Sequence, residues 1–331
     1  MENRNDAPLI RTVGLKKYFH VPQGELHAVD DLNLTIERGK TLGIVGESGC
    51  GKSTLGRVLL RLTEATEGQI FYNGENICQY SAAKMKQMRK KMQMIFQDPY
   101  ASLDPRMSVA QLIAEPLRTN HVCKSRAELE KRVAELMDTV GLAEHLRNTY
   151  PHELDGGRRQ RIGVARALAL EPEFIVCDEP VSALDVSIQA QILNLLMDLQ
   201  EQMNLTYVFI THDMSVVKHI ADDICVMYLG QCVERAPADE LFEKPLHPYT
   251  QALLKAIPVP RLGKEKVCTE VIHGELTSPI NPKPGCRFSV RCQMRHDGRC
   301  PNEHPQLHEV SAGHYVMCSL CGNKSGKEEL Q

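Results

Sequence analysis

Over roughly the first 250 residues, short apolar runs alternate with longer stretches in which apolar positions recur every three or four residues. The short runs have the length and composition of buried strands. The best strand candidates are Thr41–Val45, Met92–Phe96, Phe174–Cys177 and Tyr207–Ile210. Strands that alternate with helices in this way predict an α/β fold, built on a mostly parallel sheet with helices on its faces.

Two of the longer stretches have the period of an amphipathic helix. The first runs from Leu129 to Val140, and Gly141 is placed to end it. The second runs from Ile188 to Leu199. Both stretches are predicted to be helices with one apolar face.

The pattern changes from about Lys244, where prolines become frequent. From Pro279 onward the chain is rich in Pro, Cys, His and Arg and shows no helical period. We therefore place a main domain at residues 1–250 and a C-terminal extension at 251–331, with a cysteine cluster at 286–321. The extension is predicted to be a small, loop-rich unit that something other than an apolar core holds together.

Composition narrows the class of protein. The chain has 331 residues, of which 42% are hydrophobic and 24% charged, as in ordinary globular proteins. Its formal net charge of −3 predicts no attraction to nucleic acid or anionic lipid. No stretch approaches the roughly eighteen consecutive apolar residues of a membrane-spanning helix. The polar start, Met1–Asp6, is not a secretory signal, so a cytosolic protein is expected.

The most informative motif follows the first predicted strand. It reads G-x-x-x-x-G-K-S, and a helical pattern begins at Leu55. A glycine-rich turn in this position points successive backbone N–H groups at a phosphate, and the helix N-terminus adds its positive end. Lys52 would reach the β- and γ-phosphates, and the Ser53 hydroxyl would bind Mg²⁺. The predicted nucleoside triphosphate loop consists of Gly46, Glu47, Ser48, Gly49, Cys50, Gly51, Lys52, Ser53 and Thr54.

Polar residues that end two other strands complete a nucleotide site. Asp178 and Glu179 follow the strand Phe174–Cys177. Asp178 is predicted to reach Mg²⁺, and Glu179 to polarise the attacking water as a general base. His212 follows the strand Tyr207–Ile210 and could donate a hydrogen bond to the γ-phosphate.

Together these elements resemble the ATP-binding subunits of ABC transporters over nearly the whole chain. The resemblance implies a RecA-like P-loop nucleotide-binding domain with a helical subdomain at about 99–170 and an antiparallel β subdomain, followed here by the cysteine-rich extension. It also implies that the protein is an ATPase with ATP and Mg²⁺ as cofactors. The magnesium ligands would be Ser53, Gln97 and Asp178.

Further roles follow from the same resemblance. Gln97 resembles the glutamine that senses metal and water and faces the membrane subunit, and His212 resembles the switch histidine. Asp185 lies in a stretch that resembles the loop following the magnesium carboxylate. Tyr18 or Phe19 resembles the aromatic residue that stacks on adenine; alignment favours Phe19, and either ring also suits a core position. Glu179, His212 and Gln97 would then be the catalytic residues.

One motif departs from the family. Leu154–Arg158 reads Leu-Asp-Gly-Gly-Arg where the family usually has Leu-Ser-Gly-Gly-Gln. In the family this signature faces the ATP bound by a second subunit in a head-to-tail dimer. An ionised Asp155 cannot donate a hydrogen bond to the γ-phosphate and would repel it, with Arg158 and Arg159 offsetting part of the repulsion. We expect a weak site there, unless Asp155 turns into solvent. The signature residues predicted to face that nucleotide are Asp155, Gly156 and Gly157.

The stretches 46–53, 96–105, 180–189 and 247–254, together with the cysteine-bearing tail, resemble the dipeptide, oligopeptide and nickel importers. The likeness is closest to the second ATPase of the dipeptide or oligopeptide permeases. This implies a peripheral protein at the cytoplasmic face of the membrane. Its partners would be a second ATPase, two transmembrane permease subunits and, indirectly, an extracellular substrate-binding protein, with no nucleic acid. An importer of nickel or another small solute, or a metal-binding ABC protein that uses ATP as a switch, are the alternatives.

Four tail cysteines, Cys286, Cys292, Cys300 and Cys318, are separated by five, seven and seventeen residues. In a reducing compartment such a cluster indicates metal binding more than disulfides. The spacing alone leaves zinc, an iron–sulfur cluster and free thiols open. The family resemblance implies a [4Fe–4S] cluster on these four thiolates, with Cys321 as an alternate ligand.

Overall fold

A computed structural model describes residues 7–98, 100–257, 278–296, 300, 302 and 304–321. The chain divides into two compact units. The first unit comprises Met1–Ile10, Thr35–Thr41 and Phe71–Ile210, and the second comprises Arg11–Leu34, Leu42–Ile70 and Thr211–Gln331. The boundary proposed near residue 250 stays a prediction.

The described residues form thirteen strands and nine α-helices. The strands are β1 (Ile10–Val21), β2 (Gly24–Leu32), β3 (Thr35–Ile36), β4 (Thr41–Val45), β5 (Glu67–Tyr72), β6 (Glu75–Asn76), β7 (Met92–Ile95), β8 (Phe174–Asp178), β9 (Thr206–Thr211), β10 (Asp223–Tyr228), β11 (Gln231–Pro237), β12 (His308–Ser311) and β13 (His314–Val316). The helices are α1 (Lys52–Leu59), α2 (Ala82–Lys91), α3 (Val109–Thr119), α4 (Arg126–Thr139), α5 (Gly156–Leu168), α6 (Val186–Met203), α7 (Met214–Ile220), α8 (Ala238–Glu243) and α9 (Pro248–Lys255).

The four predicted strands are all present, as β4, β7, β8 and β9, with ends that differ by a residue or two. The two predicted helices are present as α4 and α6. Helix α4 begins where the Ser125 hydroxyl accepts a hydrogen bond from the backbone of Glu128 at 3.1 Å. Gly141 follows its end with a φ of +67°, which a glycine adopts without strain.

The first unit contains a parallel ladder and a group of helices. Strand β8 pairs in parallel with β7 on one side and β9 on the other, so that Phe174 lies opposite both Met92 and Thr206. Every residue of β8 and β9 is buried, as expected of strands covered on both faces. Helices α3, α4 and α5 pack against one another around buried residues such as Ile113 and Met137.

The second unit has a mixed sheet that includes the tail. Strand β4 pairs in parallel with β10, and β10 pairs antiparallel with β11. Strand β11 then pairs with β13, and β13 with β12, so the last described segment of the chain extends this sheet. Strands β1 and β2 form a separate antiparallel pair. The tail is therefore hydrogen-bonded into the second unit.

A buried histidine fixes the tail hairpin. His314 has 1% of its side chain exposed, and its Nε2 lies 2.8 Å from the carboxylate of Glu234. Its Nδ1 lies 3.1 Å from Glu240, which is in α8. Glu234 also accepts backbone N–H groups from Leu246 and His247 at 2.7 and 2.9 Å. Because each polar atom has partners, this network can stay buried.

Within the described ranges, no helix has both the length and the apolar character needed to cross a lipid bilayer.

Candidate nucleotide site

The loop between β4 and α1 approaches neighbouring backbone so closely that only glycine fits. A Cβ atom on Gly46 would lie 2.2 Å from the carbonyl oxygen of Met227. A Cβ atom on Gly51 would lie 1.9 Å from the carbonyl oxygen of Ala28, and Gly51 has a φ of +107°. The glycine spacing of the motif is thus a requirement of this fold as well as of phosphate binding.

Lys52 lies over the loop that precedes it. Its side-chain nitrogen donates hydrogen bonds to the carbonyl oxygens of Gly46 at 2.8 Å and Glu47 at 3.0 Å. Helix α1 begins at this lysine, and its N-cap, Gly51, has no side chain that could occupy the first N–H groups. A positive helix end beside a lysine is a favourable environment for an anion.

Cys50, in the same loop, is 3% exposed, and burial raises the pKa of its thiol. It therefore behaves as a small buried apolar residue. Ser53, which immediately follows Lys52, is half-buried in the first turn of α1.

Glu47 is held by two residues that the sequence did not connect with the phosphate loop. Its carboxylate makes a bidentate ion pair with Arg291, with distances of 2.7 and 2.9 Å. Its backbone N–H donates to the hydroxyl of Tyr249 at 2.9 Å. Arg291 lies between two tail cysteines, 244 positions away along the chain. The only local signal was an arginine beside a cysteine, which does not identify a partner.

The first unit places Gln97 beside Glu179. The amide of Gln97, just after β7, donates a hydrogen bond to the Glu179 carboxylate at 2.8 Å. Asp178 is 2% exposed at the end of β8. Glu179 adopts a φ of +45°, and its backbone N–H donates to Ile210 at 2.9 Å. Non-glycine residues in this strained region are often found at functional sites.

His212 directly follows strand β9 and belongs to the second unit. The side chain of His212 is exposed, and Asp213 caps helix α7 by accepting a hydrogen bond from the backbone of Ser215 at 2.8 Å. The backbone N–H of Asp213 donates to Thr211 at 3.1 Å. Two hydrogen bonds therefore shape the turn that contains His212.

The altered signature forms the start of helix α5. Asp155 is the N-cap: its carboxylate accepts a hydrogen bond from the backbone N–H of Arg158 at 2.8 Å and pairs with the Arg158 guanidinium. Burial pushes the pKa of this carboxyl upward, and the bonds and charge of Arg158 outweigh it, so the pKa is lowered. The aspartate thus satisfies a helix end, as a serine would.

The two signature glycines lie against the start of α6 and the residue Leu184 just before it. A Cβ atom on Gly156 would lie 2.9 Å from Leu184, and one on Gly157 would lie 2.6 Å from Ile188. Asp185 is the N-cap residue of α6, although its side chain makes no capping hydrogen bond. Close packing therefore restricts both signature glycines.

Each candidate adenine-binding ring has a neighbour on β1 or β2. Tyr18 stacks on His27 with 3.8 Å between ring centroids, and its hydroxyl donates to Asp30. Burial and this bond raise the pKa of Tyr18. The ammonium of Lys17 lies 4.9 Å from the centre of the Phe19 ring. Phe19 is half-buried and does not use its ring in a stack among the described residues.

The tail cysteines lie in one region of the second unit. Burial raises the pKa of the Cys286 thiol to about 11, and the neighbouring thiols of Cys318, Cys292 and Cys300 add to the increase. A hydrogen bond from Cys321 lowers the pKa of Cys318 to about 6. No three His, Cys, Asp or Glu side chains in the described part of the chain are arranged to hold a single metal ion.

Comparison with known families gives two matches. Residues 29–182 match the family described as ABC transporter. Residues 233–300 match the family described as oligopeptide/dipeptide transporter, C-terminal region. The first match covers the loop Gly46–Thr54, and the second covers the tail as far as Cys300 and ends before Cys318.

Individual relatives are similar over almost their whole length. The oligopeptide transport ATP-binding protein OppF of Bacillus subtilis is 51% identical over 312 residues, which is 94% of this chain and 96% of that protein. The dipeptide transport ATP-binding protein DppF of Haemophilus influenzae is 46% identical over 325 residues, covering 96% and 98% of the two chains. OppF of Escherichia coli is 51% identical over 304 residues, covering 92% and 90%.

Solved structures agree with these sequence matches. The dimeric ATP-binding cassette MJ0796, in a post-hydrolysis state bound to ADP and Pi, has a TM-score of 0.64 and 28% identity. It is covered over 98% of its length, and 69% of the present chain is matched. The cbiO1 protein of Clostridium perfringens, part of the ABC transporter complex cbiONQ, also has a TM-score of 0.64 and 28% identity, with 72% of this chain and 92% of that one matched.

The class defined by this fold and these motifs is the ATP-binding cassette, so the predicted fold class is confirmed. The chain belongs to the ABC transporter family, as an ATP-binding subunit of its oligopeptide/dipeptide transporter branch. It is an ATPase, with ATP and Mg²⁺ as its cofactors.

The capping role of Asp155 can be tested by stability. Asp155→Ala removes the cap of α5 and should destabilise the chain by about 1 kcal/mol, whereas Asp155→Ser should be close to neutral because serine also caps. The measurement is the urea denaturation midpoint at pH 7 and at successively lower pH. Because the folded pKa of Asp155 is lowered, its contribution is present above the unfolded pKa and is lost as the pH falls through the folded value. Equal midpoints for the Ala and Ser variants at pH 7 would contradict the capping role.

Proposed function

We propose that this chain is the ATP-hydrolysing motor subunit of a membrane importer for peptides, which couples ATP binding and hydrolysis to uptake through partner membrane subunits. The observation that carries the peptide assignment is the match of residues 233–300 to the oligopeptide/dipeptide transporter C-terminal region. Relatives named for oligopeptide and dipeptide transport support it. The peptide assignment rests on the family match and on the names of the relatives. The alternative cargo is nickel or another small solute.

Each candidate site residue is assigned a role from the chemistry of its side chain and from the family resemblance. Lys52 and the N–H groups of the loop Gly46–Thr54 bind the phosphates, while Ser53 and Asp178 bind Mg²⁺. Glu179 acts as the general base, and its hydrogen bond with Gln97 supports this role, because a glutamine that contacts the base can orient the attacking water. His212 contacts the γ-phosphate, and Phe19 or Tyr18 stacks on adenine. The pairing of Gln97 with Glu179 favours an ATPase that turns over, rather than a protein that binds ATP only as a switch.

The proposed partners are a second ATPase and two permease subunits, with the chain bound peripherally at the cytoplasmic face of the membrane. A groove of about 370 Å³ in the first unit supports docking of a permease loop. Phe96, which is 45% exposed, lines the groove beside Gln160 and Arg166. In the described structure the Nε2 atom of Gln160 and the Nε atom of Arg166 are buried without a hydrogen-bond partner. The groove is also lined by the basic residues Lys86, Arg89 and Lys90, which favour an acidic permease loop.

The altered signature supports a heterodimer of unlike ATPases. Asp155 stays ionised near neutral pH because its pKa is lowered, and an ionised carboxylate cannot donate a hydrogen bond to the partner's γ-phosphate. Its ion pair with Arg158 reduces the repulsion without supplying that donor. We infer that this chain's signature makes a weak site on the partner's ATP, while its own phosphate loop works with the partner's intact signature.

We also propose a [4Fe–4S] cluster on Cys286, Cys292, Cys300 and Cys318. The donor set fits in number and chemistry, since such clusters are held by four thiolates. A tetrahedral zinc ion takes four thiolates as well, so the donor set alone does not separate the two groups. The family resemblance of the tail is what favours the cluster. Bound there, the cluster would staple the tail, and zinc is the alternative.

The residue roles can be tested with two variants of the isolated chain and of the complex. Lys52→Ala should abolish ATP binding because it removes the phosphate-binding cation. Glu179→Gln should bind ATP normally, and its turnover in the complex with the partner ATPase and permease subunits should fall by at least about 100-fold, as for loss of a general base. ATP affinity and phosphate release are the measurements. A Glu179→Gln complex with near-normal turnover would contradict the assignment of the base.

The weak-signature hypothesis is tested after the other ATP site has been inactivated. That other site is the one formed by this chain's phosphate loop and the partner's signature. In a complex carrying Glu179→Gln, the remaining site is the one that Asp155 faces. Adding Asp155→Ser should raise phosphate release about tenfold, because a donor to the γ-phosphate is restored. Asp155→Ala in the same background is the control: it removes the repelling charge without adding a donor, so its rate should stay below that of Asp155→Ser. Equal rates with and without Asp155→Ser would reject the hypothesis.

The cluster can be tested by anaerobic purification. We expect a coloured protein that contains iron and acid-labile sulfide in equal amounts. Cys292→Ser should lose both, whereas Cys78→Ser, which changes a half-buried cysteine of the first unit, should retain them. Absorption spectroscopy and metal analysis are the measurements. A colourless protein with one zinc per chain would rule out the cluster.

A further inference from the structure

The tail segment from Cys286 to Cys292, here named the brace segment, turns three of its side chains into the second unit. Phe288 is 3% exposed. The side chains of Arg287 and Arg291 are 7% and 6% exposed, which is unusual for arginine. Buried arginines of this kind are held by specific partners, and the partners show what the segment does.

Arg291 reaches the start of the phosphate loop. Both terminal nitrogens of its guanidinium donate to Glu47, at 2.7 and 2.9 Å, in the planar two-bond geometry that arginine makes with a carboxylate. One of them also lies 3.4 Å from the hydroxyl of Tyr228. The Glu47 side chain is 23% exposed, so water screens this pair only in part.

The rest of the brace segment supports the same loop residue. The Phe288 ring packs edge-on against Tyr228 and is tilted against Tyr249, with centroid distances of 5.2 and 5.4 Å. The Tyr249 hydroxyl accepts the backbone N–H of Glu47. Glu47 is thus held through its side chain by Arg291 and through its backbone by a ring that Phe288 packs against.

An unpaired carboxylate at this position would oppose binding of a triphosphate. Glu47 directly follows Gly46 in the loop, and its carbonyl oxygen accepts a hydrogen bond from Lys52. A negative side chain beside a loop that gathers N–H groups around phosphate repels that ligand, and more strongly where screening is incomplete. Pairing with Arg291 cancels the charge and fixes the side chain.

We propose that Arg291 is a positioning residue of the ATP site, which holds and neutralises Glu47 so that the phosphate loop accepts a triphosphate. The inference rests on the proposed phosphate-binding role of Gly46–Thr54. It gives the cysteine-rich tail a part in nucleotide binding, whichever group its thiols hold.

The test is the affinity of the full-length chain for a fluorescent ATP analogue in the presence of Mg²⁺. Arg291→Gln should weaken binding about tenfold, a coupling within the range for residues in direct contact. Adding Glu47→Gln to that variant should bring the affinity back to within about threefold of wild type, because the unpaired carboxylate is gone. A purely structural role of Arg291 would not be rescued by a second substitution.

Arg287→Gln is the matched control. It removes an equally buried arginine of the same segment, which donates hydrogen bonds to Asp30 and to the carbonyl oxygen of Leu229 and not to Glu47. The readout is displacement of the analogue by inorganic pyrophosphate, which lacks adenine. Arg287→Gln should leave this displacement within about twofold of wild type, and Arg291→Gln should weaken it about tenfold, as expected for coupling through Glu47.

Two outcomes would overturn the inference: an Arg291→Gln chain that binds within twofold of wild type, or a double variant as weak as Arg291→Gln alone. If Arg291→Gln does not fold, Arg291→Lys decides: it keeps the charge without the two-bond geometry, and its affinity should lie between those of wild type and the ten-fold weakened level. Affinity equal to wild type would again overturn it. Lys52→Ala separates the two proposals, because unchanged binding by that variant would reject the phosphate loop itself.

Discussion

Close backbone approach around Gly46 and Gly51 is the constraint on which the nucleotide site depends. The carbonyl groups of Met227 and Ala28 lie where a side chain on either glycine would be. The loop is therefore packed against strands β10 and β2 before any ligand binds, and Lys52 is folded over it. A loop held this tightly keeps its N–H groups oriented, which lowers the cost of ordering them around a phosphate.

The tail belongs to the same structural unit as this loop. Strand β13 extends the sheet through β11, His314 joins the hairpin to two glutamates, and Arg291 pairs with Glu47. Each contact joins polar groups that are wholly or partly buried, so losing one partner would leave the other without its hydrogen bond. This explains how a proline- and cysteine-rich segment without a helical period becomes ordered, and why its integrity matters for the loop.

The signature motif shows that a substitution can preserve structure while changing chemistry. Asp155 caps helix α5 as serine would, and Arg158 supplies the matching charge. The helix start therefore tolerates the change. An aspartate in place of the serine removes the hydrogen-bond donor, because an ionised carboxylate only accepts hydrogen bonds. The weak site proposed at Asp155 therefore rests on the chemistry of the side chain and not on a change of fold.

The sequence by itself determined four of the described strands, two amphipathic helices and the glycine-rich turn between β4 and α1, because their signals are local spacings of apolar residues and glycines. It also indicated the carboxylates Asp178 and Glu179, which directly follow a strand. Only the tertiary structure decided that Gln97 bonds to Glu179 and that Glu47 pairs with Arg291. The physical reason is distance along the chain: a pair 244 residues apart leaves no period or spacing, and its geometry exists only once the sheet and the tail have packed.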